Sequence, residues 1–171
     1  MTKNCIVKGS KNAHTVFISY AHQDARIINK LVTILNPIAH ANKIEIWYDK
    51  GIKPGTQWYK QIEKEMKKSC VAVLLISPNF FNSNFIMERE LPILLTNSEV
   101  GKCHILCLYI QHANADLIPV EADGKKWILT DLQGLNSPDH PFSSLNSHQK
   151  DKFLAQAGRV IINTVTEITT S

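Results

Sequence analysis

Two carboxylates, Glu88 and Glu90, stand either side of an arginine in the stretch Met87-Glu-Arg-Glu-Leu91. A carboxylate drawn out of water can act as a general base, a nucleophile or an anionic stabiliser of a developing cation. At about 100° per residue, Met87, Leu91, Leu94 and Leu95 form one apolar helical stripe, with Arg89 on the far side. Glu88 and Glu90 border that stripe from opposite sides, roughly 200° apart, so only one can point directly into a given cleft. Helical periodicity does not choose between them. Ile86 and Ile93 give Glu90 apolar neighbours that would raise its pKa on enclosure. Both acids equally suit a solvated position near a helix N-terminus.

Aromatic residues are the second chemical resource. Trp47, Tyr48 and Trp58 bracket the loop Asp49 to Thr56, in which Gly51 and Gly55 permit positive φ and Pro54 fixes its own. With Tyr20 and Phe85 they offer faces for stacking on a flat ring, although core packing is an ordinary use for each. The histidines have no catalytic or metal-ligand spacing. Cys5, Cys70, Cys103 and Cys107 form neither CxxC nor zinc-knuckle patterns, which points to reduced thiols, with Cys103 and Cys107 filling a buried strand. No resident metal or cofactor is expected.

The elements that position these groups alternate. Strands are expected over 14–20, 43–48, 69–77 and 104–110, the third a continuous apolar run suited to a sheet covered on both faces. Between them lie helical patterns over 23–41 with Pro37 inside, 57–68 behind Thr56 as cap, and 86–98; the chain closes with another over 149–168. Residues 111–147 read as loop, with only Lys126 to Thr130 suggesting a fifth strand. The expected fold is α/β, a flavodoxin-like three-layer sandwich: about five parallel strands in the order 2-1-3-4-5 with helices on both faces. In such sheets ligands sit beyond the carboxyl ends of the strands at the switch in order, here beside the first and third strands. No GxGxxG or P-loop follows the first strand, and Ser77 stands where a phospho-acceptor domain would place its aspartate.

Size and charge agree with one domain. A chain of 171 residues, 44% hydrophobic, buries roughly 70% of its unfolded surface without disulfides. The net charge of +4 is scattered and no Lys/Arg run exceeds two residues, so nucleic acid is not an expected partner. No stretch has the length of a membrane span or the pattern of a secretory signal, so a cytoplasmic location is expected. Residues 1–13 read as a flexible polar leader and 14–171 as a single domain.

Three boxes carry a family resemblance. Val16-Phe-Ile-Ser-Tyr-Ala-His-Gln-Asp24 resembles the first signature box of the Toll/interleukin-1 receptor (TIR) domain, and Ile46-Trp-Tyr-Asp-Lys-Gly-Ile-Lys-Pro-Gly55 its BB loop. Leu75-Ile-Ser-Pro-Asn-Phe-Phe-Asn-Ser-Asn-Phe-Ile-Met-Glu-Arg-Glu-Leu91 resembles the segment that holds the catalytic glutamate in bacterial and plant members. The resemblance spans His14 to Val165. It implies a bacterial-type protein that cleaves NAD⁺ as substrate, giving nicotinamide with ADP-ribose or a cyclic isomer, in immune signalling or as an effector. The alternative is a non-catalytic scaffold working through TIR–TIR association or mimicry of host partners. The family pattern places the acid twelve residues after the serine and four after an aromatic; both counts from Ser77 and Phe85 reach Arg89. Leu91 reproduces the family's Glu-Leu pair, which favours Glu90 as catalytic, with Glu88 in reserve. Tyr20, Ala21, Trp47, Lys50, Gly51, Pro54, Gly55, Ser77 and Phe85 are the expected nucleotide-binding residues. Homo-oligomerisation through the BB loop, possible filament growth and a partner effector or TIR protein are also implied. On this reading any trigger must come from self-assembly or from another chain.

Overall fold

A computed structural model describes residues 14–51 and 55–170. The expected leader and Pro54 lie outside the described residues. Among the described residues seven strands occur in chain order: β1 His14–Ser19, β2 Ile44–Tyr48, β3 Val71–Ile76, β4 His104–Tyr109, β5 Pro119–Ala122, β6 Lys125–Ile128 and β7 Gln133–Gly134. Five of them form a parallel sheet in the order β2-β1-β3-β4-β7. The α-helices are α1 Ala25–Ala41, α2 Thr56–Lys68, α3 Pro78–Asn82, α4 Leu91–Glu99 and α5 Ser147–Thr170.

Strand side chains alternate between two cores. Val16 and Ile18 of β1, with Val71, Val73 and Leu75 of β3, pack against Ile28, Leu31 and Leu35 of α1 and Leu154, Ile161 and Val165 of α5. Phe17, Ala72, Leu74 and Ile76 point the other way, onto Ile62 and Met66 of α2 and Leu91, Leu94 and Leu95 of α4. Every residue of β3 is fully buried, which is why its sequence is an unbroken apolar run rather than an alternating one. The result is the expected three-layer α/β sandwich. Among the described residues, no helix is long and apolar enough to cross a membrane.

Two details depart from expectation. Residues 86–98 are not one α-helix: Ile86–Glu90 is a π-helical turn leading into α4. The segment near Lys126 to Thr130 is also not the fifth strand of the sheet. It forms β6, which pairs antiparallel with β5 in a separate hairpin. The connection is Asp123-Gly124, both at positive φ (50° and 73°), the geometry of a type I′ turn, in which Asp-Gly is favoured. Val120 and Ala122 of this hairpin cover the core on the α4 side.

The fifth sheet position belongs to β7, whose two residues pair with Leu106 and Cys107. Asn136 extends so short a strand with its side chain. Its Oδ1 accepts from the Tyr109 N–H and its Nδ2 donates to the Tyr109 carbonyl, both at 2.9 Å. The chain folds back tightly enough that a Cβ on Gly134 would stand 2.6 Å from the Asn136 carbonyl oxygen. Gly134→Ala is therefore expected to destabilise the protein by about 1–3 kcal/mol, read as a lower midpoint in urea unfolding, because backbone rather than a mobile side chain must move.

Candidate functional site

The sheet order reverses between β1 and β3, whose carboxyl ends open a cleft of about 530 Å³. Several elements build its walls. The chain leaving β1 supplies Tyr20, Ala21 and His22; Asp49 follows β2; Trp58 comes from α2; Asn79 and Asn82 from α3; and Phe85, Ile86 and Glu90 from the segment after it.

The loop after β1 is fastened to α3 by Asp24, a carboxylate only 8% exposed. Ser77 donates to Asp24 Oδ2 at 2.6 Å and Asn79 to Oδ1 at 3.0 Å. The Ser77 hydroxyl also accepts the Phe80 N–H, capping α3 with Pro78 in its first turn. On the other wall the Tyr20 hydroxyl donates to the Asp49 carbonyl. The Asp49 carboxylate accepts the Gly51 N–H at 3.0 Å and meets His22 Nε2 at the same distance. Burial, then the Asp49 charge, pushes the Tyr20 phenol up to about 12, so it remains a donor.

Of the two acids that line this cleft, Asp49 and Glu90, the second comes from the segment after α3. It is buried, whereas Glu88 and Arg89 are exposed on the outer side of the same turn. The π geometry produces that arrangement. The Leu91 N–H donates to the Ile86 carbonyl five residues back, so the turn holds one residue more than an α-turn. Pro92 favours such a turn, because it has no N–H to give the Glu88 carbonyl that an α-helix would pair with it. In π register Glu90 is set on Phe85 five residues earlier, as an α-turn would set the fourth. A turn of this kind has room for the one-residue shift met in counting along the sequence.

Phe85 packs on Trp58 with ring centroids 4.8 Å apart, making an aromatic wall beside the carboxyl group. Ser19, the last residue of β1, donates to Glu90 Oε2 at 2.5 Å. Burial pushes the Glu90 carboxyl up to about 7; the Ser19 hydrogen bond opposes that shift, and the nearby Asp49 charge adds to it. A group poised near neutrality in a cleft suits chemistry that needs a carboxylate at hand.

Of the residues expected at a nucleotide site, Tyr20, Ala21 and Phe85 line the cleft with Glu90. Ser77 lies behind it as helix cap. Trp47 is outside the lining, stacked on Phe17 at 5.2 Å and 12° between planes. Lys50 is exposed, its ammonium 5.4 Å from the Tyr48 ring centre. Gly51, at φ +80°, and Gly55, before α2, are exposed as well. Asp49, His22, Asn79 and Asn82 had no assigned role in the sequence reading; their signal was position alone, immediately after strand ends. No group of three His, Cys, Asp or Glu suited to a metal occurs among the described residues. Burial pushes the Cys103 and Cys107 thiols up to about 12, leaving them inert.

A model of the TIR domain matches residues 16–145. An uncharacterised protein of Sinorhizobium fredii, y4lF, is 23% identical over 97 residues, 57% of this chain; the match spans 30% of that protein's length. Among solved structures, the TIR domains of the activated Roq1 resistosome recognising the effector XopQ share 18% identity. That alignment covers 92% of this chain and 84% of theirs, with a TM-score of 0.45.

Two outcomes test the acid's environment. The native state binds the Glu90 proton more tightly than the unfolded chain does, so its contribution to stability is complete below about pH 4.5 and lost as pH rises through about 7. Glu90→Gln should therefore unfold at higher denaturant than the parent at pH 8, by on the order of 2–3 kcal/mol, and converge with it near pH 4. Deleting Arg89 restores a four-residue spacing from Phe85. The deletion variant should fold with Glu90 still buried, seen as an elevated carboxyl pKa by NMR titration.

Proposed function

Because the chain belongs to the TIR domain family, we propose that it cleaves the nicotinamide–ribose bond of NAD⁺, with Glu90 as the catalytic carboxylate. One observation carries this reading: a single buried carboxyl group of raised pKa opens on a cleft of nucleotide-accommodating size beside the Trp58–Phe85 wall. Nicotinamide leaves as a neutral ring from a cationic pyridinium, so no general acid is required. What the reaction needs is an anion beside the ribose as positive charge spreads over C1′ and the ring oxygen. Glu90 supplies it when ionised. Trp58 and Phe85 offer stacking surface for a flat ring, and Asn79 and Asn82 offer donors and acceptors to hydroxyl and amide groups. Water attacking C1′ gives ADP-ribose; an adenine nitrogen attacking it gives a cyclic isomer.

Assembly belongs to the same proposal. The loop following Asp49 starts at the cleft rim, so self-association through it, up to a filament, would act directly on the site. A partner effector or second TIR protein would act in the same place. The cellular setting we propose is cytoplasmic immune signalling. In the alternative, the domain is a scaffold and the cleft turns over nothing.

Nicotinamide release from NAD⁺, followed at high protein concentration with and without a crowding agent, distinguishes the two. Glu90→Gln should lower kcat/KM by about a hundredfold or more, while Glu88→Gln should stay within about twofold. Activity should rise with pH through about 7, as Glu90 ionises, and level off above it. No release in any assembled state would leave the scaffold.

A further inference from the structure

A carboxylate offers two oxygens, and at Glu90 only one of them has a protein partner. Oε2 accepts the Ser19 hydroxyl. Oε1 accepts no hydrogen bond among the described residues and is not enclosed, so it is the oxygen that meets the cleft. The phenolic and acidic groups around it are already committed. The Tyr20 phenol gives its proton to the Asp49 carbonyl, and the Asp49 carboxylate serves His22 and the Gly51 N–H. From α2 comes Trp58 and from α3 come Asn79 and Asn82, all uncharged, while Glu88 and Arg89 of the same turn face away.

The geometry points to Ser19 as the positioning residue of this site: its hydroxyl ties down Oε2 of Glu90 so that Oε1 alone is presented to the ligand. Its own placement makes this effective. Ser19 is 1% exposed and ends β1, an interior strand paired in register with β3, where Ser19 faces Leu74. A short side chain on a backbone paired to β3 has little freedom, whereas a glutamate has three rotatable bonds. Fixing one oxygen removes most of that freedom and leaves the second aimed. The hydrogen bond also favours the ionised form against burial, so losing it makes the carboxylate both less often charged and less well directed.

The effect on turnover rests on the proposed function; the effect on the carboxyl group does not. The experiment reads both on the full chain. The Glu90 side-chain carboxyl is titrated by ¹³C NMR, and nicotinamide release is measured against pH, in the parent, Ser19→Ala and Ser19→Thr. In Ser19→Ala the titration midpoint should rise by about one pH unit, and the acid limb of the rate profile should move with it. At the plateau kcat should fall roughly tenfold, with KM for NAD⁺ within about twofold. Ser19→Thr, which keeps the hydroxyl, should restore both. Ser19→Val, isosteric with the threonine variant but lacking the donor, should behave as Ser19→Ala, which separates loss of the hydrogen bond from loss of packing. A midpoint unchanged in Ser19→Ala and Ser19→Val overturns the inference. If the midpoint shifts but no variant or parent releases nicotinamide, the positioning role stands and the NAD⁺ reading alone fails.

Discussion

A carboxyl group that has given up nearly all its water must be held by a donor that cannot drift, and here that donor closes an interior strand. The Ser19–Glu90 hydrogen bond joins the end of β1 to the helical segment after β3, spanning 71 residues of sequence. Much of the surrounding architecture serves to make those two positions coincide. The parallel register of β1 with β3 brings Ser19 level with Leu74 near the end of β3, and Ser77 then starts α3 at once with Pro78. The cost is a protein that is less stable once Glu90 ionises, a common feature of sites that keep a charge in apolar surroundings.

The cleft's second wall is independent of that bond. Asp24 ties the loop after β1 to α3 through Ser77 and Asn79, and Asp49 organises the turn after β2 through its own side chain. Buried acids therefore appear three times around one opening, but two of them are occupied by neutral donors or a histidine. Only Glu90 keeps an oxygen in reserve. The division follows from local chemistry: an aspartate beside a turn finds backbone and amide donors within reach, whereas a glutamate on an apolar helical face finds only what the adjacent strand offers.

Much of the fold was legible because both faces of the sheet are covered. Val71 to Ile76 reads as a buried strand without ambiguity, and the helices between strands carry clear apolar stripes. What was not legible came from geometry that periodicity does not encode. The Asp123-Gly124 pair is a strong hairpin signal, yet its strands are only four residues each, and Lys125 and Lys126 dilute their apolar pattern. β7 is two residues long and is completed by the Asn136 side chain, so no strand pattern exists to be found there. At the site, the periodicity of an ideal α-helix did not choose between Glu88 and Glu90; in the π turn it is Glu90 that is buried. Trp47, suggestive by type and neighbourhood, is taken up by its stack on Phe17, and the rim belongs to Asp49, beyond the end of β2.

The π turn has a consequence for how such chains are compared. Counted by the spacing that the TIR resemblance implies, the place of the acid falls on Arg89, and a chain judged by that count would be filed as a pseudoenzyme, a copy without its reactive group. That arginine faces solvent, 5.6 Å from the centre of the Tyr59 ring. A π turn, which holds one residue more than an α-turn, can keep the direction of a side chain while breaking the arithmetic of such a motif. Loss of function inferred from a shifted column is then a statement about the alignment rather than about the molecule.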